Sequence, residues 1–430
     1  MIGAMRRMLA GRDQPIDIVL VGLGFMGYGF LQRVMKTPGL RVPVVISRGS
    51  ERTVAFLRDR GIGAVVARDV RSIQENVNRG LVSVCADYRV LGSTPCRIVV
   101  EVTGEVEYGT EVALQALGTG KHLVTMNAAL HATVGSQLLR YAQKHGVLMT
   151  DAEGDQPGSI AALIEEAAFL GFTPVMAGNM KRFLYRYATP ASMKEEAAKR
   201  GISLPQITAF TDGTKIALEM TLVANYLGMS CLTRGMHGYH ADSIEDVLTL
   251  FDWAQAPTNG FVDYIIGMGL FPGVFAVCEH EDPEQASYLK YLGIGEGPRY
   301  ILYRPYHLCH FEAVVSVARV ALFGEATIHN SLHPTTETIA IAKRDLRVGE
   351  VLDGIGAYCC YGMIEDRTIA HRHDLLPIGL SGGAVVRRRI GKDEAIRLAD
   401  VDLPDQAATR VWRDPAFLRN CSTTTDLRVR

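Results

Sequence analysis

The chain has 430 residues, too many for one hydrophobic core, so two or three domains are expected. With 48% hydrophobic and 21% charged residues and a net charge of −1, it has an ordinary soluble composition. A chain so close to neutral has no overall electrostatic pull toward nucleic acid or an anionic membrane, and neither is expected as a partner. The run Arg387-Arg388-Arg389 reads as a solvated face. Cys85, Cys96, Cys231, Cys278, Cys309, Cys359, Cys360 and Cys421 form no CxxC pair, which argues against a zinc ribbon or a thioredoxin-type site. The first fifteen residues carry Arg6, Arg7 and Arg12 without the apolar run of a signal peptide. No apolar stretch reaches the roughly 18 residues that cross a bilayer. A cytoplasmic protein with free thiols is expected.

Residues 16–22, IDIVLVG, form an apolar run ending in glycine, as a buried parallel strand does. A helical pattern follows over 28–36, a second strand over 40–47 and a second helix over 53–60. A strand is expected over 97–103, then a helix through Leu117, a strand over 122–125, a helix over 134–145 and a strand over 147–150. Such alternation predicts an α/β fold with a Rossmann-type doubly wound parallel sheet across residues 1–155. The texture then changes. Residues 156–332 carry helices near 159–170 and 214–227 with mixed segments between them, and read as an α+β catalytic and dimerising domain by analogy with two-domain dehydrogenases. From 333 to 405, short apolar runs broken by glycine read as a compact β-rich module, and 406–430 as a tail.

Gly22, Gly24 and Gly27 give G-x-G-x-x-G, following a strand and opening a helix. The first glycine makes the tight turn, the second admits a pyrophosphate, and the third lets helix pack on strand. Gly22, Gly24, Phe25, Met26 and Gly27 are therefore candidate dinucleotide contacts. Selection of NAD places an acidic residue about 20 positions on, at the end of the second strand. Ser47 and Arg48 stand there instead, so a 2′-phosphate is favoured and NADPH is the expected cofactor.

Asp151 and Glu153, in TDAEGDQPGS, are two residues apart on an extended segment and point to one side. Paired oxygen donors at the carboxyl edge of a sheet suit Mg²⁺ or Mn²⁺, with Asp155 a competitor for the same role. In TDGTKIALEMTLVAN, Asp212, Lys215 and Glu219 recur at near-helical spacing on an otherwise apolar helix. Charges in such a helix need partners or a function. Lys181 and Arg182 follow what reads as a glycine turn in AGNMKRF, and YRPYHLCHFE supplies Arg304 and His307. These cations suit a phosphorylated or carboxylated substrate.

The glycine turn, EVTGEVEYG with Thr103 and Gly104, and GKHLVTMNAAL with Asn127 together resemble the nucleotide domain of homoserine dehydrogenases. Ala128 departs from the lysine that follows the asparagine in that family. The D-x-E at 151–153 with Lys215 and Glu219 resembles the metal and lysine set of 1-deoxy-D-xylulose 5-phosphate reductoisomerases. The stretch IAKRDLRVGEVLDGIGAYCCYG, with LPIGL and ADVDL after it, resembles an SAF module of the β-clip fold. Taken together, the chain resembles the DXR-like (DRL) reductoisomerases.

The resemblance implies NADPH- and metal-dependent conversion of 1-deoxy-D-xylulose 5-phosphate to 2-C-methyl-D-erythritol 4-phosphate, an isoprenoid precursor. It implies a metal on Asp151, Glu153 and Glu219, with Lys215, Asp212 and Glu219 at the chemistry. Thr103, Gly104 and Asn127 would line the nicotinamide, and Lys181, Arg182, Arg304 and His307 would hold the phosphate. A homodimer is expected. Alternatives are a dehydrogenase or oxidoisomerase of a sugar acid or homoserine-like substrate, and a non-catalytic sensor of cofactor and sugar.

Overall fold

The apolar run after residue 15 forms β1 (Ile16–Val21), whose last four residues are buried, and it is the hub of the first sheet. The computed structural model describes residues 2–413; of the expected tail 406–430, Ala407–Arg413 form a helix, and the part from 414 onward, with Cys421, lies outside the described residues. The chain divides into two units. The first comprises the residues up to Asp155, Leu308–Leu332 and the chain from Gln406; the second comprises Gln156–His307 and His333–Asp405.

In the first unit, α1 (Ile2–Ala10) precedes β1, and α2 (Phe25–Met35), β2 (Leu40–Ile46), α3 (Ser50–Arg58) and β3 (Ala64–Val66) follow it. Next come α4 (Val70–Asn78), β4 (Val82–Cys85), β5 (Ile98–Glu101), α5 (Val106–Gly118), β6 (His122–Thr125), α6 (Ala128–Lys144) and β7 (Met149–Asp151). The strands form one seven-stranded sheet in the order β3-β4-β2-β1-β5-β6-β7, with every pair parallel. This is the expected doubly wound α/β sheet. It is wider than the sequence reading gave, because β3, α4 and β4 were not anticipated. β3 has three residues and α4, VRSIQENVN, is mostly polar, so neither carries a clear apolar period.

The order of the strands reverses at β1, which puts a crevice at the carboxyl edge between β1 and β5. Register aligns the last residues of five strands in one row: Ile46, Val21, Glu101, Thr125 and Asp151. Three of these five are polar, and all three are buried. The helix Ala313–Phe323 returns to this unit and shares its core with α1 and α2 through Val317, Leu9 and Phe30.

In the second unit, α7 (Gln156–Phe169) leads into β8 (Thr173–Lys181). Next are α8 (Lys194–Arg200), α9 (Leu204–Thr211), α10 (Thr214–Leu227), β9 (Ser230–Cys231), β10 (Tyr239–His240), β11 (Phe261–Ile266), β12 (Val274–Glu279) and β13 (Arg299–Arg304). β8 is central, with β11 parallel on one side and β12 antiparallel on the other; β13 pairs β12, and β9 and β10 pair β11. One face carries a core of Met176, Met180, Phe261, Ile265, Phe275 and Val277. The other meets α10, where the Asn179 amide donates to Met220 Sδ at 3.2 Å.

Helix α10 has the bounds expected from the sequence. Gly213 at φ +90° and Gly228 at φ +70° flank it, left-handed positions that favour glycine at a helix end. The expected glycine turn before Lys181 is absent. Gly178 lies within β8, and glycine is needed because a Cβ there would fall inside the Phe275 ring. β14 (Thr336–Ala342) and β15 (Cys360–Asp366) pair antiparallel over seven residues and pack on α10. There the Gly362 N–H donates to Thr214 Oγ1 at 2.9 Å, and Thr221 and Thr338 share a hydroxyl bond of 2.8 Å.

Candidate active site

Each glycine of the turn after β1 has its own physical reason. Gly22 has φ +94° and donates its N–H to the Ile46 carbonyl at 2.9 Å. A Cβ on Gly24, at the start of α2, would meet nothing within 4 Å, so this side of the turn is open. At Gly27 a Cβ would overlap the Gly22 carbonyl and press on Val102 Cγ2 at 3.0 Å. The N–H groups of Phe25, Met26 and Gly27 have no carbonyl earlier in the helix to bond, and the helix dipole adds positive potential there. The open side of Gly24 therefore fits a dinucleotide pyrophosphate.

At the end of β2, the Ser47 hydroxyl bonds Thr53 Oγ1 at 2.8 Å. Arg48 pairs with Glu105 at 2.9 Å and lies 5.1 Å over the Tyr108 ring. The side chains of Arg48 and Glu105 are 66% and 52% exposed, so their pairing contributes at most about 1 kcal/mol and gives way readily to a phosphate. The Arg52 guanidinium, a cation without a motif of its own in the sequence, covers Gly49 beside them.

Further along the carboxyl edge, Glu101 accepts from the Thr103 N–H at 2.7 Å, from the Thr103 hydroxyl, and from Asn127 Nδ2 at 3.1 Å. Burial pushes its carboxyl up from the usual range, against the downward pull of the Thr103 and Asn127 bonds. Thr125 Oγ1 donates to Asp151 Oδ1 at 3.2 Å. Asp151 closes β7 and donates its N–H to the Ile328 carbonyl at 2.8 Å, and the Glu153 N–H bonds Ser316 Oγ at 2.7 Å. Both carboxylates are buried. The D-x-E segment is thus held inside the first unit by the returning segment 308–332, rather than solvated.

In the second unit, α10 and the end of β8 bring Lys215, Glu219 and Lys181 together. Glu219 is 2% exposed, with Lys215 Nζ 3.2 Å from its Oε1 and Lys181 Nζ 3.8 Å from its Oε2. Lys181 Nζ also donates to Gln156 Oε1 at 2.7 Å, a partner the sequence did not suggest. Asp212 stands apart from this set. Its Oδ1 accepts the Thr214 N–H at 2.9 Å, and its Oδ2 meets the buried Lys343 ammonium at 2.8 Å. Lys343 also donates to the carbonyls of Ala188 and Ala357, so the fold fully employs this pair. Arg182 turns toward the Leu270 carbonyl at 3.4 Å, and Arg304 lies 5.7 Å from the Tyr306 ring. His307 follows β13, and the structure brings Lys181 and Lys215 together at Glu219.

Among the described residues, no group of three or more His, Cys, Asp or Glu side chains is arranged to hold a metal ion. Glu219, expected as a metal ligand, lies in the second unit with Lys215 and Lys181. Its carboxylate faces two ammonium groups, an arrangement that suits lysine charge and would oppose a divalent cation. No helix among the described residues is long and apolar enough to cross a membrane.

Comparison with known proteins gives two family matches along the chain. Residues 22–150 match the family model for the homoserine dehydrogenase NAD binding domain, and residues 154–313 that for the catalytic domain of oxidoreductase DRL. A homoserine dehydrogenase of Lactococcus lactis subsp. lactis (strain IL1403) is 28% identical over 159 residues, 36% of this chain and 32% of that protein. Another, from Methylobacillus glycogenes, is 31% identical over 132 residues, 30% of this chain and 29% of that protein. The chain thus spans about a third of the length of these relatives. A crystal structure of a homoserine dehydrogenase from Thiobacillus denitrificans has a TM-score of 0.43 at 16% identity, covering 78% of this chain and 84% of that one. An apo scyllo-inositol dehydrogenase from Lactobacillus casei has a TM-score of 0.36 at 10% identity, covering 67% and 75%. The chain is therefore similar to the homoserine dehydrogenase NAD binding domain over its first part and to the catalytic domain of oxidoreductase DRL over its middle.

Proposed function

We propose that the protein is an NADPH-dependent reductoisomerase that converts 1-deoxy-D-xylulose 5-phosphate to 2-C-methyl-D-erythritol 4-phosphate. The observation that carries this reading is the buried Glu219 carboxylate between Lys215 and Lys181, within the range that matches the DRL catalytic domain. Rearrangement and reduction of a ketose phosphate both build negative charge on substrate oxygens. Fixed ammonium groups stabilise such charge best where water is largely excluded. Lys215 and Lys181 are only 23% and 20% exposed.

Glu219 orients Lys215 through their ion pair of 3.2 Å. Lys215 then donates a proton to the carbonyl oxygen as the carbon is reduced. NADPH, when bound, supplies the hydride. Ser47, Arg48 and Arg52 would hold its 2′-phosphate, and the helix start at Gly24 its pyrophosphate. Lys181, Arg182, Arg304 and His307 remain the proposed holders of the substrate phosphate. The β-rich module of 333–405 is proposed as the SAF module, and the active form as a cytoplasmic homodimer.

The test is NADPH consumption by purified protein supplied with the deoxyxylulose phosphate, in Mg²⁺ or Mn²⁺ and separately in chelator, with the product identified. Formation of the branched tetrol phosphate supports the reading. Absence of turnover under every condition, with NADPH bound, would overturn it.

A further inference from the structure

We infer that Glu101 is the positioning residue for the nicotinamide half of the cofactor site, an inference that rests on the cofactor reading above. Glu101 is the last residue of β5, in register with Val21 of β1 and Thr125 of β6. That places it on the edge row beside the strand-order reversal, where open α/β sheets bind their ligands. It is fully buried, and a buried carboxylate must be hydrogen-bonded at both oxygens.

Both oxygens are engaged by groups that line the crevice. Oε1 accepts from the Thr103 N–H and hydroxyl, fixing the turn that continues into Gly104 at φ +71°. Oε2 accepts from Asn127 Nδ2. Asn127 cannot turn its amide around, because its Oδ1 already accepts the Leu130 N–H at 3.2 Å as the N-cap of α6. Its Nδ2 also donates to the Glu105 carbonyl at 3.1 Å. Gly109 of α5 leaves room for this arrangement, since a Cβ there would stand 2.9 Å from Asn127 Nδ2. One carboxylate thus ties the loops after β5 and β6 to a single geometry.

The chemistry requires an acceptor at each end. Glutamine has the same shape, but its amide would set N–H against N–H, either at Thr103 or at Asn127. The loops would then shift where the nicotinamide ring lies, while the helix start at Gly24 and Ser47, bonded to Thr53, keep their own contacts, and Arg48 touches the shifting loop only through its exposed pair with Glu105. That exposed pair is weak, so the adenine half of the site should hardly respond.

That separation supplies the test. Wild type and Glu101→Gln are titrated with NADPH and with the 2′-phosphate of ADP-ribose, which keeps the pyrophosphate and lacks nicotinamide. Thermal melts accompany both titrations. The variant is expected to bind NADPH about tenfold more weakly and the truncated ligand unchanged. Thr103→Val, which removes only the hydroxyl donor, should show the same pattern more weakly and serves if Glu101→Gln does not fold. Unchanged NADPH affinity, or an equal loss for both ligands, would overturn the assignment. Wild-type protein that binds neither ligand would overturn the cofactor reading itself.

Discussion

Lys215 gains its proposed chemistry from position: the fourth residue after it on α10 is a buried carboxylate, and most of the helix is apolar. Replacing it with methionine keeps the packing and removes the proton donor. Lys215→Met is expected to lower turnover by about 10²–10⁴-fold with NADPH affinity unchanged, as steady-state kinetics and a binding titration would show. Arg48→Ala should weaken NADPH binding by about tenfold while leaving NADH binding unaltered, because only the 2′-phosphate loses a partner. Equal effects on both cofactors would move the 2′-phosphate elsewhere.

His131, fully buried on α6, sets a pH limit on the first unit. Burial is the main cause that holds its imidazole down at about 3, with the nearby His329 adding to it. In the unfolded chain the same ring titrates near 6.5. Between those values the unfolded state binds a proton that the folded state excludes, so stability falls as pH drops from about 6.5 toward 3. His131→Gln should flatten that part of a melting-temperature profile. A profile of unchanged slope would exclude His131 as its source.

Among the elements, α10 was legible to the residue because glycine brackets it and its apolar content is continuous. β6 was equally clear. β3, α4 and β4 were not, since three-residue strands and a polar amphipathic helix leave no period strong enough to read. Gly178 was misread for a different reason. Glycine signals a turn locally, but here it is dictated by the Phe275 ring across the sheet, a contact invisible in one strand's sequence. Asp212 illustrates the same limit. Its place before a helix was clear, but its partner Lys343 lies 131 residues away. Lys343→Met would leave a buried carboxylate without its cation, and should cost about 3–5 kcal/mol in denaturant unfolding. A loss below about 1 kcal/mol would show that the pair is not structural.

For the whole molecule, the glycine turn, the doubly wound sheet and the lysine–carboxylate helix could be read from local pattern. The return of residues 308–332 to the first unit could not, because it depends on contacts such as Asp151 with Ile328 and Glu153 with Ser316 that no local period encodes. The row Glu101–Thr125–Asp151 was hidden likewise: each residue ends a separate strand, and only register aligns them. The proposed reaction is transfer of hydride to a rearranged carbonyl compound. The most direct measurement uses NADPH deuterated at the transferred position of nicotinamide C4, with 1-deoxy-D-xylulose 5-phosphate as substrate and the product examined by NMR. Deuterium is expected on the primary alcohol carbon of a branched tetrol phosphate. Deuterium in an unbranched product, or none in any product, would contradict the proposed reaction.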